Sequence, residues 1–268
     1  MRTALRGTMH SAEIIDARWS REPTLGTVLA QSTRCSLCLD IFVRPWHITT
    51  MENALVLLDL FGTLAFAISG AFKAVKYELD LLGLMVLATM TGIGGGIVRD
   101  ILCGSLPPAA LRNEIYFFVC IAGGIAVYFL APRIARRWDI VLFADAVGLG
   151  VFAGIGGIKG VDMGFGFMGV ILLGTLTATG GGVIRDILVS EIPMVIRSDF
   201  YATAVIIGCA AMAAVNAAGA PRVAVLGVCI GVTILCRLLA MRFDLSLPKV
   251  KSLPESPTQM TRRRRTKD

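Results

Sequence analysis

The sequence predicts an all-α integral membrane protein with seven transmembrane helices, and three observations carry this prediction. Of its 268 residues, 55% are hydrophobic and only 17% are charged, whereas a soluble domain carries about 25% charged residues. Apolar runs of about 20 residues, the length that crosses a bilayer, recur between residues 54 and 241. The first half of this region also repeats in the second half, at an offset of 86 residues.

Short loops, several of them containing proline, separate the seven predicted helices. Each helix is long enough to cross the hydrocarbon core at a rise of about 1.5 Å per residue. The predicted helices cover residues 54–75, 81–102, 115–131, 140–158, 165–188, 200–220 and 223–241. They form a first three-helix repeat (54–138), a second, inverted repeat (139–221) and a seventh helix (222–242), between a polar disordered extension (1–53) and a basic disordered tail (243–268).

The internal repeat is the strongest signal in the sequence. Its equivalent positions are Asp59 and Asp145, Lys73 and Lys159, the glycine triplets Gly94, Gly95, Gly96 and Gly180, Gly181, Gly182, and the pairs Arg99, Asp100 and Arg185, Asp186. Shared apolar composition does not produce Gly-Gly-Gly-x-x-Arg-Asp-Ile-Leu twice, so the halves arose by duplication. Because an odd number of helices separates equivalent positions, the copies cross the membrane in opposite directions, as in many proteins that move solutes.

Each glycine triplet lies inside a predicted membrane helix, the second or the fifth. Three glycines disfavour continuous helix by about 3 kcal/mol relative to alanine. A broken helix offers free carbonyls to a cation and free N–H groups to an anion. We therefore expect both helices to be broken at the triplets, which would line an ion pathway. The alternative is that the glycines only permit close helix crossing.

Charged side chains in apolar helices are costly and usually face the interior of a bundle. Asp59 and Asp145 are therefore expected on the ion pathway, with Arg99 or Arg185 as partners across the repeats. For the Arg-Asp pairs, an ion pair that only fixes the helix break is as good an interpretation as direct contact with an ion. Lys73 and Lys159 lie too far along their helices to pair with the aspartate of the same helix, and snorkelling to the membrane interface is the alternative for them.

Loop charges predict an inner-membrane protein with its N-terminus outside and its C-terminus inside the cell, because cytoplasmic loops carry the excess of Lys and Arg. The six arginines of residues 1–53 oppose this orientation. The net charge of +7 is explained by positive loops that set the orientation and by contact with membrane lipid, and no nucleic-acid partner is expected.

Both histidines, His10 and His47, precede the first membrane helix. Their position argues against Ser–His hydrolysis and against a His-ligated metal in the membrane.

At these residues the sequence resembles the prokaryotic members of the TRIC family, the trimeric intracellular cation channels, which are also catalogued as putative glycine transporters. The resemblance is carried by the doubled G-G-G-[IV]-[IV]-R-D-I-L, by the opening D-x-x-G-x-x-x-F-A-x-x-G-x-x-K of each repeat and by the helix count. It implies a homotrimer with one hydrated pore per subunit, bounded by broken second and fifth helices and permeable to K⁺ and Na⁺. It also implies that the glycine triplets line the pore and that Lys159 occludes it.

Three functional classes can be compared on these residues: a channel, a carrier and an enzyme. A passive cation channel is favoured by the mirrored aspartates and the expected helix breaks. An alternating-access transporter of glycine, or of a similar small amino acid, is the alternative, since half-helix ends offer both polarities. An intramembrane enzyme is not expected. The membrane region has no histidine, and Asp59 and Asp145 lie near opposite faces of the membrane, where they are poorly placed to form a catalytic pair. No cofactor is expected.

Overall fold

The computed structural model describes residues 37–134, 138–197 and 200–243, and every regular element in these ranges is an α-helix. The helices are α1 (Leu37–Lys76), α2 (Leu81–Leu102), α3 (Ala109–Arg112), α4 (Ile115–Ile134), α5 (Trp138–Asp162), α6 (Phe167–Leu188), α7 (Met194–Arg197), α8 (Ala202–Ala217) and α9 (Arg222–Arg242). Contacts divide the chain into two units, Met1–Ala54 and Leu55–Asp268, and α2 to α9 belong to the second.

Among the described residues, five helices are long and apolar enough to cross a membrane: α2, α6, α9, and the segments Asn53–Lys76 of α1 and Val141–Asp162 of α5. The apolar segments of α4 and α8 are shorter. The predicted class, an all-helical protein with membrane-length apolar helices, is therefore confirmed for the described residues, while seven crossings stay a prediction.

Two features of the helix pattern differ from the prediction. Helix α1 begins at Leu37, so residues 37–53 are helical where a disordered extension was expected. Asp and Arg interrupt the apolar run there, but both have ordinary helix propensity. The short helices α3 and α7 were also not predicted, since four residues carry no readable periodicity. The predictions of disorder for residues 1–36 and 244–268 lie outside the described residues.

The predicted helix breaks are wrong: α2 and α6 continue through both glycine triplets. The glycines instead allow α2 and α6 to cross with their backbones in contact. A Cβ atom on Gly95 would collide with the Thr177 carbonyl, and one on Gly181 would collide with the Thr91 carbonyl. The contacts that this close crossing gives both helices offset the low helix propensity of glycine.

The threonines at the crossing need no partner from another helix. The hydroxyls of Thr91 and Thr177 donate to the carbonyls of Leu87 and Leu173, at 2.5 and 2.7 Å, one turn earlier in their own helices. Polar side chains therefore stand at the centre of the bundle at little cost, because each is satisfied within its own helix.

Contacts between the two halves are reciprocal. Gly95 meets Thr177 as Gly181 meets Thr91, and Gly62 lies against Phe152 as Gly148 lies against Phe66. The two phenylalanines, which are equivalent in the repeat, stack on each other with ring centroids 5.3 Å apart and an interplanar angle of 11°. Phe66 and Phe152 are fully buried, so the stack fills the space between α1 and α5.

Candidate functional site

A first charge cluster joins α1, α2 and α4 and consists of Asp59, Arg99, Asp100 and Tyr116. The Arg99 guanidinium donates to Asp59 Oδ1 at 3.2 Å and to Asp100 Oδ1 at 2.9 Å. The Tyr116 hydroxyl donates to Asp59 Oδ2 at 2.7 Å. All four residues are buried, and each carboxylate therefore has charge-assisted hydrogen bonds that compensate for its removal from water.

A second charge cluster occupies the equivalent positions of the second half, with Asp145, Arg185, Asp186 and Tyr201. Arg185 Nη1 lies 2.6 Å from Asp145 Oδ1, and Nε lies 2.9 Å from Asp186 Oδ1. Ser69 of α1 adds a hydroxyl that accepts from Arg185 Nη1 at 2.6 Å. Here Asp145 Oδ2 and the Tyr201 hydroxyl, although buried, have no hydrogen-bond partner among the described residues.

The predicted partners of the aspartates are present, but the predicted pairing across the repeats is wrong. Asp59 binds Arg99 and Asp145 binds Arg185, so each pair stays within its own half. The reason is that each arginine lies near the end of its helix, α2 or α6, where it faces the preceding helix of the same half.

The second aspartate of each Arg-Asp pair fixes the chain that follows its helix. Asp100 Oδ2 accepts from the Ala109 backbone N–H at 2.9 Å, and Asp186 Oδ2 accepts from the Met194 N–H at 2.8 Å. Both hydrogen bonds lie at the first residue of a short helix, α3 or α7, where backbone N–H groups lack partners within the helix. The geometry therefore favours the structural interpretation of the Arg-Asp pairs over direct contact with an ion.

Lys73 connects the two halves rather than reaching for the membrane interface. Its ammonium lies 2.6 Å from Glu191 Oε2 and 3.3 Å from Asp186 Oδ1. The Tyr77 hydroxyl also donates to Glu191. We call this group of four residues the Lys73 bridge.

Hydrogen bonds within the Lys73 bridge shift the pKa values of Glu191 and Tyr77, which lie beyond the ends of α6 and α1. The bonds from Lys73 and Tyr77 lower the pKa of Glu191 to about 2, and the bond to Glu191 raises the pKa of Tyr77. A lowered carboxyl pKa stabilises the folded state above the ordinary pKa and loses that contribution as the pH falls through about 2. The Glu191 carboxylate therefore stays charged throughout the physiological range.

A small cavity of about 10 Å³, room for about one water molecule, opens beside the first cluster. Its walls come from α1 to α5, and Phe152, one member of the central stack, is among the residues that line it. Gly96 is the triplet residue that faces this space most openly, since a Cβ there meets only Arg99 Nη2, at 3.8 Å. The lining residues are Asp59, Thr63, Gly92, Ile93, Gly96, Arg99, Asp100, Ala109, Ala110, Tyr116 and Phe152.

The structure places the predicted site residues in different surroundings. The cavity is lined by Asp59, Arg99, Asp100 and Gly96. In contrast, Gly95 and Gly181 lie in the contact between α2 and α6. Lys159 is half-buried, and its side chain forms no hydrogen bond or ion pair with any of the described residues.

Sequence reasoning missed Tyr116, Tyr201 and Glu191. The tyrosines did carry a signal, because they align in the repeat after one deletion. Glu191 has no such repeat signal, because the equivalent position in the first half is occupied by Ser105.

The two tyrosines provide a matched prediction. Tyr116→Phe removes the donor to a buried carboxylate, and we expect it to cost about 1–3 kcal/mol of stability. Tyr201→Phe removes a hydroxyl without a described partner, so we expect a much smaller change. Thermal unfolding of both variants in the same detergent measures the difference. Equal destabilisation would contradict the assigned hydrogen bonding.

Comparison with known proteins assigns the chain to a class. The family model described as "Glycine transporter" matches residues 56–132 and 142–217, which fall in the two halves of the repeat. A UPF0126 membrane protein of Vibrio cholerae is 40% identical over 213 residues, 78% of this chain and 89% of that protein. The UPF0126 inner membrane protein YadS of Escherichia coli K12 is 38% identical over 194 residues, 71% of this chain and 93% of that protein.

A solved structure gives the same assignment. The crystal structure of the TRIC trimeric intracellular cation channel orthologue from Rhodobacter sphaeroides matches with a TM-score of 0.68 and 35% identity, over 72% of this chain and 99% of that one. The fold and these comparisons therefore define a helical membrane protein of the prokaryotic TRIC type, and the resemblance seen in the sequence is confirmed. The chain belongs to the family of the UPF0126 membrane proteins, whose domain is described as a glycine transporter.

Proposed function

We propose that the protein is a membrane channel that passes the monovalent cations K⁺ and Na⁺ along a pathway within each subunit. The observation that carries this proposal is the small cavity that the buried carboxylates Asp59 and Asp100 line together with Phe152. The similarity of the chain to a solved structure of a cation channel supports the same function. The carboxylates favour cations over anions, and the stack of Phe66 on Phe152 is the point that must move to open the pathway.

The arrangement around this pathway is proposed from three further arguments. The reciprocal contacts of Gly95 and Gly181 support two inverted repeats of three helices. The orthologue is described as trimeric, which supports a homotrimer surrounded by membrane lipid. Inner-membrane relatives and the loop charges support a bacterial inner-membrane location with the N-terminus outside. The domain boundaries of the sequence stand as part of this proposal.

Transport of glycine by alternating access is the less favoured function, because the solved structure that matches is described as a cation channel. The family description alone supports it. An enzymatic function has no support from the channel-like fold.

Flux in liposomes tests the proposal. Purified protein in vesicles with an imposed K⁺ gradient and a potential-sensitive dye should show fast, non-saturating K⁺ flux that glycine does not inhibit. Gly96→Leu should abolish this flux, because the added side chain enters the small cavity beside Arg99, whose Nη2 is the nearest atom to a Cβ at this position.

The matched control is Gly227→Leu, at a position where an added Cβ meets no atom within 4 Å. It should conduct like the unaltered protein. Saturable uptake of labelled glycine without electrical leak, in the same vesicles, would contradict the channel.

A further inference from the structure

The equivalent tyrosines of the two charge clusters direct their hydroxyls at different groups. Tyr116 donates to Asp59 Oδ2 at 2.7 Å. The Tyr201 hydroxyl instead lies against Gly182, 2.7 Å from the position that a Cβ atom would take there. Both this hydroxyl and Asp145 Oδ2 are buried without a hydrogen-bond partner among the described residues. The bond of the first half is therefore absent from the second, although both groups that would form it are present.

The position of the tyrosine decides how much room remains beside the third glycine of each triplet. With Tyr116 bonded to the aspartate, a Cβ on Gly96 meets only Arg99 Nη2, at 3.8 Å, and the small cavity lies there. In the second half the Tyr201 hydroxyl takes the corresponding space beside Gly182. The side chain of Tyr201 thus fills what the equivalent tyrosine leaves open.

Two features of the second half keep Tyr201 in this position. The guanidinium carbon of Arg237 lies 5.0 Å from the centroid of its ring, and both residues are buried, where a cation–π contact is strongest. Arg237 belongs to α9, which lies outside the repeat and has no counterpart in the first half. In addition, α8 begins at Ala202, directly after the tyrosine, whereas α4 begins at Ile115 and includes Tyr116.

We propose that Tyr201 has a second position, in which its hydroxyl donates to Asp145 Oδ2, and that this movement opens the cation pathway beside Gly182. This inference rests on the proposed channel function, and it adds a closure to the stack of Phe66 on Phe152. The observed position leaves two buried polar groups unpaired, which is unfavourable, but it keeps the contact with Arg237. The second position pairs both groups and gives up that contact, so neither position is strongly preferred.

Gly182→Ala tests the movement directly. Its Cβ would lie 2.7 Å from the Tyr201 hydroxyl, and the end of a side chain, unlike backbone, can move away. The hydroxyl should therefore pass to Asp145. We expect K⁺ flux in liposomes to rise by about tenfold, because a hydrogen bond to a charged group changes an equilibrium by at least roughly that factor.

The same substitution in the first half is the matched comparison. Gly96→Ala displaces no tyrosine, and its methyl group narrows the small cavity, so it should lower the flux. Gly227→Ala, where an added Cβ meets no atom within 4 Å, should leave the flux unchanged. A flux in Gly182→Ala that is equal to or below that of the unaltered protein would overturn the inference.

Tyr201→Phe shows whether the hydroxyl is responsible. In the double variant Gly182→Ala with Tyr201→Phe, the new methyl group occupies the space that the hydroxyl has left. The ring is then not displaced and cannot donate to Asp145. The increase in flux should disappear, and an increase that persisted would overturn the inference, because it would not depend on the hydroxyl.

Arg237→Met supplies the decision if Gly182→Ala is not monodisperse by size-exclusion chromatography. Loss of the guanidinium releases the ring of Tyr201, so the flux should rise about tenfold, the effect expected of a buried cation–π contact. In the Tyr201→Phe background the same substitution should give no increase over Tyr201→Phe alone. An equal increase in both backgrounds would assign the effect to the lost charge and overturn the movement of Tyr201.

Failure of the inference and failure of the channel are distinguishable. If the unaltered protein conducts and Gly182→Ala shows no increase, Tyr201 does not close the pathway and the channel stands. Absence of cation flux in the unaltered protein and in every variant would overturn the channel, and the closure by Tyr201 with it.

Discussion

Replacement of Gly95 by leucine is expected to destroy the fold rather than simply block a pore. A Cβ at this position already collides with the Thr177 carbonyl, and a backbone group inside a packed helix pair has no room to move. Overpacking of a core typically costs 1–3 kcal/mol, so we expect a loss of at least about 3 kcal/mol. Gly181→Leu should behave alike, because it meets the Thr91 carbonyl in the reciprocal contact.

The measurement is the yield of monodisperse protein in detergent, followed by its thermal unfolding. Gly96→Ala is the control from the same triplet, since its Cβ comes no closer than 3.8 Å to a neighbouring atom outside its own helix turn. It should purify and unfold like the unaltered protein. If Gly95→Leu and Gly181→Leu were as stable as Gly96→Ala, the close crossing of α2 and α6 would be wrong and the helix breaks would have to be reconsidered.

Removal of Arg185 is the second change with a large expected effect. Arg185→Met leaves the carboxylates of Asp145 and Asp186 buried without their common guanidinium. Breaking a buried ion pair in this way costs about 3–5 kcal/mol, because the remaining charge stays out of water. Thermal unfolding should therefore shift strongly, and additional replacement of Asp145 by leucine should recover part of the loss.

Arg222→Ala provides the comparison for an exposed ion pair. Arg222 and Asp162 have side chains that are 54% and 39% exposed, and pairs of this kind contribute at most about 1 kcal/mol. If Arg185→Met were as mild as Arg222→Ala, water would reach the second cluster and its carboxylates would not depend on the arginine.

The sequence predicted the parts of the fold that local chemistry determines. Apolar length placed the segment Asn53–Lys76 within a residue or two, and the doubled Arg-Asp motif identified both arginines that bind Asp59 and Asp145. It failed at the glycine triplets because helix propensity is a local quantity. The contact between Gly95 and Thr177 that overrides it comes from another helix 82 positions away in the sequence.

The Lys73 bridge could not be predicted for a related reason. Glu191 lies in a loop, where no periodicity indicates its direction, and its partners Lys73 and Tyr77 belong to the other half of the chain. The one available sign was the difference between Glu191 and Ser105 at equivalent positions. A departure from the repeat points to a special role only when a contact shows what the departing residue binds.

The central claim is that cations pass through this protein. It is tested most directly by the reversal potential of the current that the protein carries across a planar bilayer. A tenfold KCl gradient across a bilayer with purified protein should give discrete current steps that reverse close to the K⁺ equilibrium potential, about 59 mV in magnitude for a univalent ion at 25 °C. Reversal at the chloride potential, or no current steps while the same preparation takes up glycine, would contradict the account.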